Sequence, residues 1–317
     1  MILLTGSTGF LGRAILAALV SENLRCLGRN KPSIISESSF YRSDINADSD
    51  FTAAVINTDN VIHCAARVHV MEDSSTNSLK AFREVNTYGT LNLAQQAADA
   101  GVKRFIFISS IKVNGESTEV GQPFKPDDSF IPTDPYGLSK YEAEIGLRNI
   151  AKETGMEVVI IRPPLVYGPG VKANFESMMK WIYKGIPLPL GGIKQNKRSL
   201  VSIDNLVNLI VTCISHPKAA NQTFLVSDDD DVSTTGLLQN MAVALNRPSR
   251  LLPVPASWFN LIANLINKPG ISQRLCGSLQ VDISKTKELL EWTPPYSTPE
   301  SMKKTANTFV NNLNKKK

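Results

Sequence analysis

Three glycines at three-residue spacing, Gly6, Gly9 and Gly12, stand between a short apolar run and a helical pattern. The run Ile2–Leu4 reads as a strand, and Ile15, Leu16 and Leu19 share one face of the helix that follows. A strand that turns through glycines into a helix N-terminus is a pyrophosphate cradle. The missing side chains let the backbone approach closely, and free N–H groups at the positive end of the helix dipole face the anion. The spacing G-x-x-G-x-x-G departs from the commoner G-x-G-x-x-G, so the strand before it and the helix after it carry the reading.

The same alternation continues. Leu24–Leu27, Val61–Cys64, Phe105–Ser109 and Val158–Ile161 read as strands, and 12–20, 81–99 and 136–152 as helices. The second of these helices ends at Ala100-Gly101, a glycine C-cap. Strands alternating with helices form βαβ units, hence a parallel sheet covered on both faces. The fold class expected is α/β: a doubly wound parallel sheet of Rossmann type with a smaller C-terminal substrate domain. A length of 317 residues, with 42% hydrophobic and 20% charged, accommodates both. After Pro163-Pro164 the chain becomes rich in Pro and Gly, while Ser199–Ile203 and Thr223–Val226 look like strands returning to the sheet. The expected dinucleotide-binding domain is therefore 1–165 plus about 199–227. The expected substrate domain is about 166–198 plus 228–312.

Several function classes are disfavoured. The net charge of +5 is mild and partly sits in the tail, without the basic stripe and interleaved aromatics that nucleic-acid binding needs. The acidic run Asp228–Asp231 lacks metal-loop spacing and reads as a loop and helix cap before Ser233. Cys26, Cys64, Cys213 and Cys276 form no C-x-x-C, and the first two read as small core residues in a reducing compartment. The first residues lack a basic leader and serve as a strand, and no run reaches the ~18 apolar residues of a membrane span, so a cytoplasmic location is expected. Trp258 to Ile266 is apolar but broken by two asparagines and reads as a packed helix. Trp181, Trp258 and Trp292 are assigned to packing, as is His63 in its apolar strand.

Tyr136-Gly137-Leu138-Ser139-Lys140 is Y-x-x-x-K at the opening of a helix. Residues four apart share a helix face, so phenol and ammonium enter the same space. A nearby cation stabilises phenolate and lowers the tyrosine pKa from about 10, which suits Tyr136 to proton transfer. Ser109-Ser110 ends a buried strand upstream, at the carboxyl edge where open α/β sheets bind ligands.

These pieces resemble the extended short-chain dehydrogenases/reductases, the nucleotide-sugar epimerase/dehydratase group. The matching segments are TGSTGFLG (5–12), Asp44-Ile45, VIHCAA (61–66), Asn86 in NTYGT, SSIKVNG (109–115), YGLSK (136–140), RPPLVYGPG (162–170) and RSLVSIDN (198–205). The resemblance implies Ser110, Tyr136 and Lys140 as the catalytic set. It implies cofactor contacts at Gly6, Thr8, Gly9, Phe10, Leu11, Gly12, Arg29, Asp44, Ile45, Ala65, Ala66, Asn86, Tyr136, Lys140 and Pro163. Substrate contacts are expected at His69, Lys112, Asn174, Arg198 and Arg274, with no metal. The partner implied is a UDP-sugar, and the assembly implied is a homodimer.

SSIKVNGE, RVHVMED (67–73), VKANF (171–175) and GSLQVDISK (277–285) are similar to bacterial surface-polysaccharide enzymes that reduce the C4 keto group of a UDP-4-keto-6-deoxy-N-acetylhexosamine. Close relatives of those enzymes are UDP-glucose or UDP-N-acetylglucosamine 4-epimerases, the alternative reading. Lys112 and Asn114 stand where the common epimerase motif S-x-T-V-Y-G has Thr and Tyr. The second strand ends in Leu27-Gly28-Arg29-Asn30-Lys31, with no acid before Glu37 to accept from a ribose 2′-OH. Arg29 suits a 2′-phosphate, so NADP(H) is favoured and NAD(H) remains possible. The expected reaction is C4-keto reduction. The non-enzyme alternative is a dinucleotide-sensing regulatory protein on the same fold.

Overall fold

The computed structural model describes residues 1–20, 22–68, 78–259 and 269–315. The chain opens with β1 (Ile2–Thr5), α1 (Phe10–Ala18), β2 (Leu24–Gly28), β3 (Phe40–Arg42), the single turn α2 (Thr52–Val55) and β4 (Asn60–His63). Helix α3 (Ser78–Arg83) runs through a π-helical stretch, Glu84–Gly89, into α4 (Thr90–Asp99). Then follow β5 (Arg104–Ile108), α5 (Pro135–Thr154), β6 (Glu157–Arg162), β7 (Leu165–Tyr167) and α6 (Ala173–Tyr183). Next come β8 (Leu200–Ser202), α7 (Ile203–Ser215), β9 (Thr223–Leu225) and α8 (Thr234–Ala244).

Seven strands form one parallel sheet in the order β3-β2-β1-β4-β5-β6-β9. The order reverses between β1 and β4, and a crevice opens there beyond their carboxyl ends. Side-chain alternation sorts each strand between two cores. Leu4, Cys26, Ile62, Ile106 and Val159 pack under α1 and α7. Leu3, Leu27, Val61, Phe105 and Val158 pack on the opposite face under α4 and α5. Both layers are buried, which is why RFIFI and EVVIIR read as continuous apolar runs.

Two expectations about strands need correction. Ser199–Ile203 contains β8, but β8 pairs with β7 in a separate two-stranded sheet through Leu165↔Leu200 and Val166↔Val201. The place beside β6 is taken by β9, whose Thr223 opposes Ile160. Cys64 lies one residue beyond β4 and is half-buried, packed against the core that encloses Cys26. The helix expected over 81–99 contains the π stretch. There Gly89 lies against the Ile45 backbone, and a Cβ would stand 2.8 Å from the Ile45 carbonyl carbon.

A third core unites Tyr167, Phe175, Met179, Leu190, Leu238 and Met241 with Phe309 of the closing helix Thr298–Asn314. Tyr167 donates to Asp228 at 2.7 Å, and Asp228 also accepts from Ser202 N and Asn205 Nδ2. Ser233 caps α8 by accepting from Gly236 N. Trp292 is buried, donating to Asn208 at 2.8 Å. Trp181 and Trp258 pack only in part, the two residues being 44% and 62% exposed. Of the expected helix Trp258–Ile266, all beyond Phe259 lies outside the described residues.

Candidate active site

The glycine loop owes its shape to close backbone contacts. Gly6 has φ +69°, and a Cβ there would lie 2.7 Å from Ala65 N. A Cβ on Gly12 would lie 2.0 Å from Gly6 O, so any side chain would push the first turn of α1 out of the loop. Gly9 N donates back to Gly6 O at 2.9 Å. The turn opens onto a groove of about 430 Å³ lined by Gly6–Gly9, Leu27–Asn30, Ser43–Ile45, Cys64–Val68 and Val85. Of the expected cofactor residues, Gly6, Thr8, Gly9, Arg29, Asp44, Ile45, Ala65 and Ala66 line it. Phe10 and Leu11 are not among the lining residues and pack partly against the sheet core at the start of α1. A cradle that only glycine can form, with a helix N-terminus above it, fits a dinucleotide pyrophosphate.

Arg29 stands at the groove mouth with its side chain 81% exposed and its Nε 4.0 Å from Asp44 Oδ1. Arg42 donates to the Arg29 carbonyl at 2.5 Å. Asp44, just past β3, places a carboxylate at the groove mouth near the end of β2. Asn86 does not line the groove. It is fully buried, accepts from Arg67 N at 2.8 Å, and donates to Arg67 O and Ser139 Oγ. It therefore anchors the segment after β4 to α5. Pro163 contributes its carbonyl, which accepts from Ile111 N at 3.0 Å.

Ser110 caps the turn Ile111–Val113, its hydroxyl accepting from Lys112 N. Asp134 and Pro135 start α5, which places Tyr136 in its first turn, edge-on to Phe82 at 5.9 Å. Burial pushes the Tyr136 phenol up to about 12, while the facing Ser110 hydroxyl works in the opposite direction. This corrects the lowering expected from Lys140. The Lys140 ammonium donates to Ile108 O at 2.9 Å and lies 4.4 Å from the centre of the Phe107 ring. It is buried, and burial lowers it to about 8, partly offset by Cys64 and Glu144. Burial raises the Cys64 thiol to about 12.

His63, the next residue inward, is bonded at both nitrogens: Nδ1 to Thr5 Oγ1 at 2.7 Å and Nε2 to Thr90 Oγ1 at 3.0 Å. Burial, then the charge of Lys140, lowers it to about 3, so it is a neutral core residue stacked on Phe107.

Sequence reasoning missed the buried set behind these groups. Glu144, one turn after Lys140, accepts from Ser109 at 2.6 Å, from Arg162 at 2.8 and 2.6 Å, and from Arg148 at 2.9 Å. Burial pushes Glu144 up, but Arg162, Ser109 and Arg148 outweigh it and hold it below the ordinary carboxylate range. Arg162 also donates to Asn114 Oδ1 at 2.9 Å, and Asn114 donates to Lys125 O at 2.7 Å. The sequence signal was available: an acid at i+4 from Lys140 and an arginine ending an apolar strand both imply burial with a partner.

The expected substrate contacts are dispersed. Lys112 is held between Glu116 and Asp134, each at 3.1 Å. Asn174 is exposed in the first turn of α6. Arg198 donates to Gly277 O at 3.0 Å, and burial lowers its pKa. Arg274 lies in the helix Pro269–Cys276, with its side chain outside the described residues, as is all of His69. Of these five, only Lys112, Asn174 and Arg198 have described side chains.

Residues 2–227 match the model of the NAD dependent epimerase/dehydratase family. The chain belongs to that family. It is 56% identical over 312 residues to a UDP-glucose 4-epimerase of Vibrio cholerae, covering 98% of this chain and 95% of that one. It is 26% identical over 319 residues to the N-acetyl-alpha-D-glucosaminyl-diphospho-ditrans,octacis-undecaprenol 4-epimerase of Escherichia coli O157:H7, covering 96% and 93%. The fold is similar to that of a UDP-glucose 4-epimerase from Thermotoga maritima with UDP-glucose. That match has a TM-score of 0.78 at 22% identity and covers 98% of this chain and 99% of that one. The parallel α/β fold is thus shared with that solved structure.

Proposed function

We propose that the protein is a UDP-hexose 4-epimerase that works with a resident NAD(H). The observation that carries this reading is the 56% identity to the Vibrio cholerae UDP-glucose 4-epimerase across 98% of the chain. Two further observations take support away from the C4-keto reductase. Asn114, which departs from the common epimerase motif, is occupied by Arg162 and Lys125 in a buried network. Lys112, the other departure, is held by Glu116 and Asp134. Both are accounted for by packing and pairing, not by a different substrate. At the groove mouth the Asp44 carboxylate offsets the Arg29 cation, which disfavours a cofactor 2′-phosphate.

In this reading Gly6, Gly9 and Gly12 admit the pyrophosphate, and Asp44 and Ile45 flank the adenine. A bound nicotinamide dinucleotide supplies a reversible hydride acceptor for the sugar C4. Tyr136 takes the proton from the C4 hydroxyl oxygen and returns it in the second half of the reaction. Ser110 donates to the same oxygen and aligns it. Lys140, held by Ile108 O and still protonated in most molecules at neutral pH, offers positive charge beneath the site. The Glu144–Arg162 pair fixes the strand end that carries Ser109 and Ser110. Arg198 contacts the sugar nucleotide's diphosphate. We infer a cytoplasmic homodimer from the resemblance alone. Among the described residues no helix is long and apolar enough to cross a membrane.

The test is conversion of UDP-glucose and UDP-N-acetylglucosamine by purified protein with no added cofactor, read by separation of the C4 epimers. Epimer formation with NAD(H) released on denaturation is expected. No epimer, together with NADPH oxidation that requires a 4-keto-6-deoxy sugar nucleotide, would establish the reductase instead.

A further inference from the structure

Charge is segregated along this chain. Between Ser177 and Ile203 there are five cations and no acid, and between Val232 and Val281 four cations and no acid. These nine exceed the net charge of +5 for the whole chain, so everything outside the two segments is net negative. The fold brings the two segments side by side. Leu188 N donates to Arg250 O at 2.9 Å and Leu252 N to Leu188 O at 2.8 Å. The Arg250 guanidinium donates to Gly185 O at 3.2 Å.

The surface they form is apolar as well as basic. After α6 the chain turns back on itself, Ile186 N donating to Trp181 O at 3.0 Å, which leaves Trp181 44% and Ile186 43% exposed. Leu252, beside this turn, is 52% exposed, and Trp258, six residues on, is 62% exposed. Lys184 and Arg250 are exposed among them. Lys180, just before Trp181, is paired with Glu176 at 2.8 Å, which leaves Lys184 and Arg250 as the cations among the exposed indoles and branched aliphatics, the composition of an interfacial membrane anchor. The rings enter the headgroup region, and the cations are attracted to anionic lipid. A nucleic-acid surface would not gain from exposed Ile186 and Leu252.

We propose that the face formed by Trp181, Lys184, Ile186, Arg250, Leu252 and Trp258 docks on an anionic lipid bilayer. None of these six belongs to the glycine-loop groove or to the Ser110–Tyr136–Lys140 group, so docking leaves the chemistry accessible and does not depend on which sugar is epimerised.

Sedimentation of the full chain with phosphatidylglycerol/phosphatidylethanolamine vesicles tests this. Binding is expected to those vesicles, to be absent with phosphatidylcholine alone, and to fall on raising salt. The Lys184→Glu/Trp258→Ser variant should bind roughly tenfold or more weakly, from the loss of one attractive cation and one buried ring. It should melt at the same temperature and convert soluble UDP-sugar at the wild-type rate. Leu252→Ser is the second variant should the first lower the melting temperature. No vesicle binding, or binding that both variants leave intact, overturns the proposal. So does equal binding to phosphatidylcholine, capture of an oligonucleotide in place of vesicles, or a self-association that the variants dissolve. Because soluble turnover is measured separately, failure of docking and failure of the epimerase assignment are distinguishable.

Discussion

The groove edge of the large sheet and the basic region beyond β7 are built by opposite means. At the groove, the features that mark the site are close in sequence: Gly6, Gly9 and Gly12 fold against one another, and Tyr136 and Lys140 share one helix. In the basic region the contacts join distant segments, such as Asn196 to Gly277 O, Thr234 to Leu275 O and Leu188 to Arg250. Local geometry leaves a residue-type signature that a reader of the sequence can find, because only glycine fits a 2.0 Å gap. Long-range closure leaves none, since Asn196 would look the same with any partner. The predictions that follow set one region against the other, in descending order of effect.

Gly12→Val should have the largest effect. Its Cβ would stand 2.0 Å from Gly6 O, and backbone has no room to yield on either side. Purified variant should hold no dinucleotide and show no turnover, and it should melt well below wild type. Retention of cofactor after gel filtration would mean that the groove is not the dinucleotide site.

Tyr136→Phe should lower kcat by roughly 10²- to 10⁴-fold, the usual range for lost acid–base catalysis, while cofactor remains bound. The ring keeps its contact with Phe82, so melting should be unchanged. Wild-type turnover in this variant would remove Tyr136 from the chemistry and leave the glycine loop as a binding feature alone.

His63 reports on the core beneath the groove. Its folded pKa of about 3 lies below its ordinary 6.5, so the unfolded chain binds the proton more tightly. Stability from this group is fully present above pH 6.5 and is lost as pH falls through the interval from 6.5 to 3. At pH 5 the loss should be about 2 kcal/mol, from 1.36 kcal/mol per pH unit over about 1.5 units. His63→Gln keeps hydrogen-bonding groups for Thr5 and Thr90 but does not titrate. It should flatten denaturant midpoints measured between pH 7 and pH 5. An equally steep fall in the variant would place the acid sensitivity elsewhere.

Arg198 carries the comparison into the basic region. Arg198→Ala should raise KM for the sugar nucleotide roughly tenfold, with kcat less affected, by loss of a charge-assisted contact worth about 1.5 kcal/mol. An unchanged KM would move the diphosphate away from β8.

The sequence made the parallel sheet, the glycine loop and the Tyr136–Lys140 pair legible because each depends on periodicity or short spacing. It did not make legible that β8 would pair with β7, since nothing in Leu200–Ser202 distinguishes one edge from another. The functions of Asn86 and Asn114 were also hidden. Both are polar residues whose partners, Arg67 and Arg162, lie 19 and 48 positions away. The direction of the Tyr136 shift was misjudged because the sequence gives the spacing to Lys140 but not the burial of the phenol, nor the Ile108 carbonyl that holds the ammonium. Likewise the apolar tryptophans looked like core. Exposure is set by what covers a residue, and Trp181 and Trp258 are covered only in part, at 44% and 62% exposed.

The smallest effect is expected at Arg29, and it sharpens the cofactor assignment. The side chain is 81% exposed and faces Asp44 at 4.0 Å, so its field at the groove mouth is screened by water and partly cancelled by the carboxylate. If the resident cofactor is NAD(H), Arg29→Asp removes a cation that holds nothing essential. It adds a second carboxylate beside that of Asp44 at the groove mouth. The ratio of dissociation constants for NADH and NADPH, measured on stripped protein at fixed ionic strength, should then move within about fivefold, the span of an exposed ion pair. If Arg29 instead grips a 2′-phosphate, the substitution loses a charge-assisted contact and introduces repulsion, and both changes act in the same direction. A shift of a hundredfold or more toward NADH would therefore return NADP(H) to the groove, and with an exchangeable reduced cofactor the keto-reductase would again be the better account of this site.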